Sequence, residues 1–118
     1  LLTAAPKPQM TVYKTATCGC CSKWVDHMRA AGFAVNVVTV PATAEYRAKH
    51  GIPDRFASCH TATVGPYTFE GHIPAADIQA FLKTKPKARG LAVPGMPMGS
   101  PGMEGPRPQP YQTLLIDL

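Results

Sequence analysis

The chain has 118 residues, 45% of them hydrophobic, which fits one compact domain and leaves little material for a second. Its net charge of +5 comes from scattered lysines and arginines without interleaved aromatics, which argues against a nucleic-acid surface and leaves solubility and weak steering. No apolar stretch approaches the about 20 residues that a bilayer-spanning helix needs.

Prolines and glycines crowd the ends, with Pro6 and Pro8 before the first strand-like segment and seven prolines from Lys85 to Pro110. Residues 1–9 are therefore expected to be a disordered remnant and 10–118 a single domain, of which 85–118 form a loop-rich tail. Leu1 to Pro6 reads as the end of an export signal, although it carries no basic stretch.

Met10 to Lys14 is rich in Thr, Val and Tyr and predicts a strand. A polar segment then leads into Cys18-Gly19-Cys20-Cys21, which opens a helix. Cys21, Trp24, Val25, Met28 and Ala31 recur at helical spacing along one apolar face, and Gly32 is a natural stop. Phe33 to Val40 is a β-branched run without polar alternation, expected to be a central strand covered on both faces and parallel to the first. Thr43 is placed to cap a short helix running to His50, and a loop after Ile52-Pro53 reaches Ser58-Cys59-His60. Thr61 to Val64 and Tyr67 to Glu70 flank Gly65-Pro66 and predict an antiparallel hairpin. Pro74 suits the first turn of a helix that buries Ile78, Phe81 and Leu82 and ends before Pro86. The order β-α-β-α-β-β-α predicts a thioredoxin-like α/β fold with a mixed four-stranded sheet and a Pro-, Gly- and Met-rich C-terminal extension.

Three cysteines within four positions on a helix-starting loop are not an ordinary core pattern. Free N–H groups and partial positive charge at a helix N-terminus favour thiolates and prepare the sulfurs as ligands or nucleophiles. The topology brings Cys59 beside that loop, so Cys18, Cys20, Cys21 and Cys59 are expected to converge, with His60 at the same place and His72 at the far end of the hairpin. Two disulfides are the bland alternative, but a bridge between adjacent Cys20 and Cys21 is strained. Zinc is the better rival, since four thiolates make a standard tetrahedral site. Zinc ligands usually come as two separated pairs, whereas these split three and one; crowded soft thiolates suit copper(I), which they can bridge into a cluster.

Met96, Met98 and Met103 lie in a stretch too rich in Pro and Gly for helix or strand. Thioethers are soft ligands with little affinity for zinc, which points Met96 and Met98 toward copper and leaves Met103 equally explained as gap-filling. This loop is expected to fold over the cysteines as a soft-ligand lid ordered by copper. His27 reads as solvent-exposed on the flank of the first helix, His50 as a residue at a helix C-terminus, and Trp24 as core. No hydrolase or kinase constellation is present.

Taken together, Cys18-Gly19-Cys20-Cys21, Ser58-Cys59-His60-Thr61, Glu70-Gly71-His72-Ile73-Pro74, Gly90 to Pro97 and Gly99 to Glu104 resemble the CopG-type copper-resistance proteins, a cysteine-rich metal-binding family long without an assigned function. The likeness runs from about Thr11 to Tyr111. It implies a periplasmic, thioredoxin-like protein that holds copper in a cysteine-bridged cluster, with copper redox interconversion during detoxification. It makes Cys18, Cys20, Cys21 and Cys59 the matching cysteines, and His60, His72, Met96, Met98 and Met103 the accessory soft-ligand positions. A copper exporter or another copper-resistance protein is the expected partner. Two alternatives stand beside this reading: a thiol-disulfide oxidoreductase, because Cys18 and Cys21 have CxxC spacing, and a passive metallochaperone.

Overall fold

The computed structural model describes residues 7–118. In chain order its elements are β1 (Gln9–Lys14), α1 (Gly19–Ala30), β2 (Ala34–Thr39), α2 (Ala44–Lys49), a 3-10 turn (Asp54–Phe56), β3 (Thr61–Val64), β4 (Tyr67–Glu70), α3 (Ala75–Thr84), β5 (Gly90–Ala92) and β6 (Leu114–Ile116). The expected order holds through α3, and two strands follow it.

The strands form one six-stranded mixed sheet, β2-β1-β3-β4-β5-β6, in place of the expected four. β1 runs parallel to β2 and antiparallel to β3, and β3 turns back as β4 in the expected hairpin. The segment read as a loop-rich tail supplies β5, parallel to β4, and β6, antiparallel to β5. Strands of three residues are too short to show a period, and they form because β4 offers a row of unpaired backbone groups. β2 pairs with β1 alone and is the edge strand at the other end of the sheet, half-buried along most of its length, instead of a doubly covered central one. Its β-branched residues suit a half-buried pleated surface equally well.

Of the stretch 1–9, residues 1–6 lie outside the described residues. The Pro8 carbonyl accepts the Ala34 N–H at 2.9 Å and Gln9 opens β1, so ordered chain begins before Met10.

Helices cover both faces of the sheet. Trp24, Val25 and Met28 of α1 and Ile78 and Phe81 of α3 pack with Met10, Val12, Phe69 and Leu91. On the other face Ile52 and Phe56 meet Ala92 and Ile116. Leu91 and Ala92 are neighbours in β5 and serve opposite faces, as the period of two requires. The fully buried Trp24 satisfies its indole N–H on the Ile73 carbonyl at 2.9 Å, which ties the residue after His72 to α1. Thr43 stands at the N-terminus of α2 without a capping side-chain bond. His27 is not simply exposed: its Nε2 accepts the Ala75 N–H at 3.1 Å and closes the start of α3, where Pro74 has no side chain able to do so.

Candidate metal centre

Sheet pairing assembles the site. Tyr13 faces Thr61 and Thr61 faces Glu70 across neighbouring strands, so the end of β1, the start of β3 and the end of β4 lie side by side. The first of these leads into Cys18 to Cys21 at the start of α1, the second follows Cys59-His60, and the third leads into Gly71-His72. The Sγ atoms of Cys18, Cys20, Cys21 and Cys59 all lie within 4.8 Å of one another, the expected convergence. A second group within 4.8 Å joins Cys59 to His60 and His72. Cys59 belongs to both.

Cys18 and Cys21 are joined by a disulfide, with Cα atoms 5.3 Å apart, while Cys20 and Cys59 are free thiols. One bridge therefore exists where the crowding suggested none. Residues three apart on a first helical turn stand on the same side, within ordinary disulfide reach, and the adjacent pair that would be strained is avoided. Cys18 Sγ is 3.5 Å from Cys20 Sγ, and Cys21 Sγ points at the Cys59 carbonyl at 3.8 Å. Burial pushes the Cys59 thiol up to about 12, against the Ser58 hydroxyl, which favours the thiolate.

The two imidazoles differ in their support. His72 Nδ1 is 2.6 Å from the Pro101 carbonyl, which can only accept, so Nδ1 carries the proton and the Nε2 lone pair faces Cys59 Sγ at 3.0 Å. A backbone carbonyl behind a ligating histidine is the usual device for fixing its tautomer. His60 is fully buried against Trp24, ring centroids 4.4 Å apart, with Nδ1 3.3 Å from Cys59 Sγ and Nε2 without a partner among the described residues.

The methionines separate. Met96 is half exposed and its Sδ lies 4.0 Å from Cys20 Sγ, at the open side of the site. Met98 packs its thioether over Gly105, whose missing side chain leaves the room, and bonds through its backbone to Gln109. Met103 engages Ser100 and Gly99 through its backbone. The loop does lie over the cysteines, but it has protein partners of its own: the Gly95 N–H bonds the Ala57 carbonyl, the Ser58 hydroxyl the Gly95 carbonyl, and the Gly102 N–H the Glu104 carboxylate at 3.0 and 3.1 Å. These contacts replace the expectation that a metal alone would order it.

Sequence reasoning missed the support beneath Cys59. Fully buried Glu70 accepts the Ser58 N–H at 2.8 Å and the Thr61 hydroxyl at 2.6 Å, bracketing Cys59-His60 from both sides. The Arg47 guanidinium of α2 approaches the same carboxylate at 3.5 Å. Burial raises the Glu70 carboxyl and these partners oppose the rise. An acidic residue closing a strand whose other residues carry no charge was the available signal.

Burial drives His60 down to about 3, with neighbouring His72 adding to the effect, and burial lowers His72 as well. Above pH 6.5, the ordinary value, His60 is neutral folded or unfolded. As pH falls from there toward 3, the unfolded chain takes up a proton that the folded site refuses, and stability declines by about 1.4 kcal/mol per pH unit for this group. Urea unfolding of the metal-free protein from pH 7 to pH 4 should show that decline, shallower in His60→Phe; equal slopes would place the proton uptake elsewhere.

Among the described residues no helix is long and apolar enough to cross a membrane. A family described as "Protein of unknown function, DUF411" matches residues 56–103, from the 3-10 turn to Met103. No curated protein matches. The solved structure "Copper resistance protein copG- Form 2" is similar at 39% identity with a TM-score of 0.89, over 94% of this chain and 90% of that one. "Copper resistance protein copG- Form 1" is similar at 40% identity with a TM-score of 0.87 over the same shares. With the backbone shared across nearly all of both chains and the cysteine centre assembled as described, this chain belongs to the family of the copper resistance protein CopG.

Proposed function

We propose that the reduced protein holds copper(I) in a multinuclear cluster bridged by Cys18, Cys20, Cys21 and Cys59, and serves copper resistance in the periplasm. The observation that carries this reading is the convergence of four sulfurs within 4.8 Å. Four sulfurs at this spacing can also close around one ion, and what favours a copper(I) cluster over the mononuclear tetrahedron of zinc is their three-and-one arrangement of soft, bridging thiolates with a thioether at hand. Met96 adds a thioether at the exposed edge. The scaffold is read as thioredoxin-like, with β2-β1-β3-β4 as its core and β5 and β6 as additions. A disulfide beside free thiols agrees with an oxidising compartment, and a reducible pair beside copper permits redox interconversion of the metal.

Anaerobic titration of the reduced protein with copper(I), equimolar zinc present, tests the reading. More than one copper per chain, with zinc displaced, is expected; saturation at one copper, or retained zinc, overturns it.

The Cys18–Cys21 disulfide favours one further reading, a thiol-disulfide oxidoreductase. Its mark would be catalytic reduction of a protein disulfide by the dithiol form. Cys59, within reach of both sulfurs, is placed to intercept the mixed disulfide such catalysis requires.

A further inference from the structure

We propose that the end of the molecule remote from the cysteines docks on an anionic phospholipid surface. Basic residues scattered along the sequence are gathered there by the fold. β1 carries the chain toward the cysteines, so its start, with Lys7 just ahead of it, marks the opposite end. α1 returns to that end, and Arg29 in its last turn donates to the Val35 carbonyl at 3.1 Å. β4 and β5 run parallel, so α3, which joins the end of one to the start of the other, returns there too and brings Lys83 and Lys85. Lys83 lines a concavity of about 310 Å³ together with Pro8, Gly32 and Phe33, which places α3 beside the starts of β1 and β2. Lys87 follows Pro86, whose carbonyl accepts the Tyr67 hydroxyl from the first residue of β4.

All five cations are exposed. Of the 12 basic residues the remaining seven equal the 7 acidic ones in number, so these five amount to the whole net charge of +5. Among the acids, Asp26 lies one turn back along α1 and Asp117 follows β6; neither is ion-paired with these cations among the described residues. Composition and layout favour a bilayer over a protein partner. Four of the five are lysines, in which protein–protein interfaces are poor, whereas clusters of this size are drawn to anionic headgroups. They project from separate segments, and the concavity between them is mostly apolar with Lys83 as its one cation, so it is no built pocket for a carboxylate. Flexible point charges spread over a broad face suit a plane of mobile anions. Such attraction adds about fivefold in affinity per Lys or Arg and fades within a Debye length, about 10 Å at 0.1 M salt. Docking by this end turns the cysteines away from the lipid.

The test is sedimentation of the full chain with vesicles of mixed phosphatidylglycerol and phosphatidylcholine, beside vesicles of phosphatidylcholine alone. Binding to the anionic vesicles only is expected, with release as salt rises from about 0.1 M to about 1 M. Lys83→Gln with Lys85→Gln and Lys87→Gln should weaken it about a hundredfold. Lys23→Gln with Arg55→Gln and Arg107→Gln lowers the net charge equally, at exposed positions near the cysteine end, and should keep the affinity within about threefold. Alkylation of Cys20 should run as fast on the vesicle as in solution. Equal weakening of the two triple variants, binding that ignores salt or lipid charge, or protection of Cys20 on the vesicle overturns the proposal. So does failure to bind the anionic vesicles; retention on immobilised polyglutamate through the same lysines would then assign the surface to an acidic protein.

Discussion

Cys59→Ser is expected to keep the fold and abolish cluster formation. Its sulfur is common to the four-cysteine group and to the group with His60 and His72, so one substitution damages both. The residue is only partly buried, and the backbone around it is held by Glu70 through Ser58 and Thr61, contacts that a serine at 59 leaves in place. The metal-free variant should unfold within about 1 kcal/mol of the parent, as substitutions outside a packed core usually do. Copper(I) affinity should fall by more than the 10–100-fold typical of losing an outer partner of a metal ligand, with fewer coppers per reduced chain. Copper count by metal analysis after gel filtration, beside urea unfolding, checks both halves. An unchanged count would make Cys59 a bystander.

What the sequence disclosed was whatever depends on near neighbours. The stripe from Cys21 to Met28, the hairpin about Gly65-Pro66 and the placement of Cys59 beside the first cysteines follow from spacing within one element or one connection. What it concealed depends on partners far along the chain. β5 and β6 exist because β4 has an edge to cover, and three residues carry no period of their own. His27 meets α3 at Ala75, and Glu70 is tolerated in the interior because Ser58, Thr61 and Arg47 converge on it. The tautomer of His72 is set by the carbonyl of Pro101, a group that every residue possesses and that no residue type announces. The CxxC spacing of Cys18 and Cys21 was visible; that the bridge sits inside a group of four sulfurs is a matter of geometry.

The placement of the methionine loop leads to the second large effect, expected for Gly102→Ala. Gly102 has φ +88°, in the left-handed region that side chains rarely adopt, and an added Cβ would lie 2.8 Å from the Cys20 carbonyl, 2.9 Å from His72 Nδ1 and 3.0 Å from the Trp24 amide. The carbonyl and amide belong to residues four apart in α1, so neither can rotate aside without opening the first turn of the helix that carries the cysteines. The loop must give way instead, and Pro101 moves off His72 with it. The metal-free protein should lose about 1–3 kcal/mol from the strain, and copper(I) affinity of the reduced protein should fall 10–100-fold as His72 loses the partner that orients it. Nitrogen NMR of the imidazole should show both His72 tautomers in the variant and one in the parent. Gly95→Ala provides the comparison, because φ there is also left-handed, +70°, yet nothing lies within 4 Å of its Cβ. It should lose stability and keep its copper; equal copper affinity in the two variants would show that contact between the loop and His72 plays no part in holding the metal.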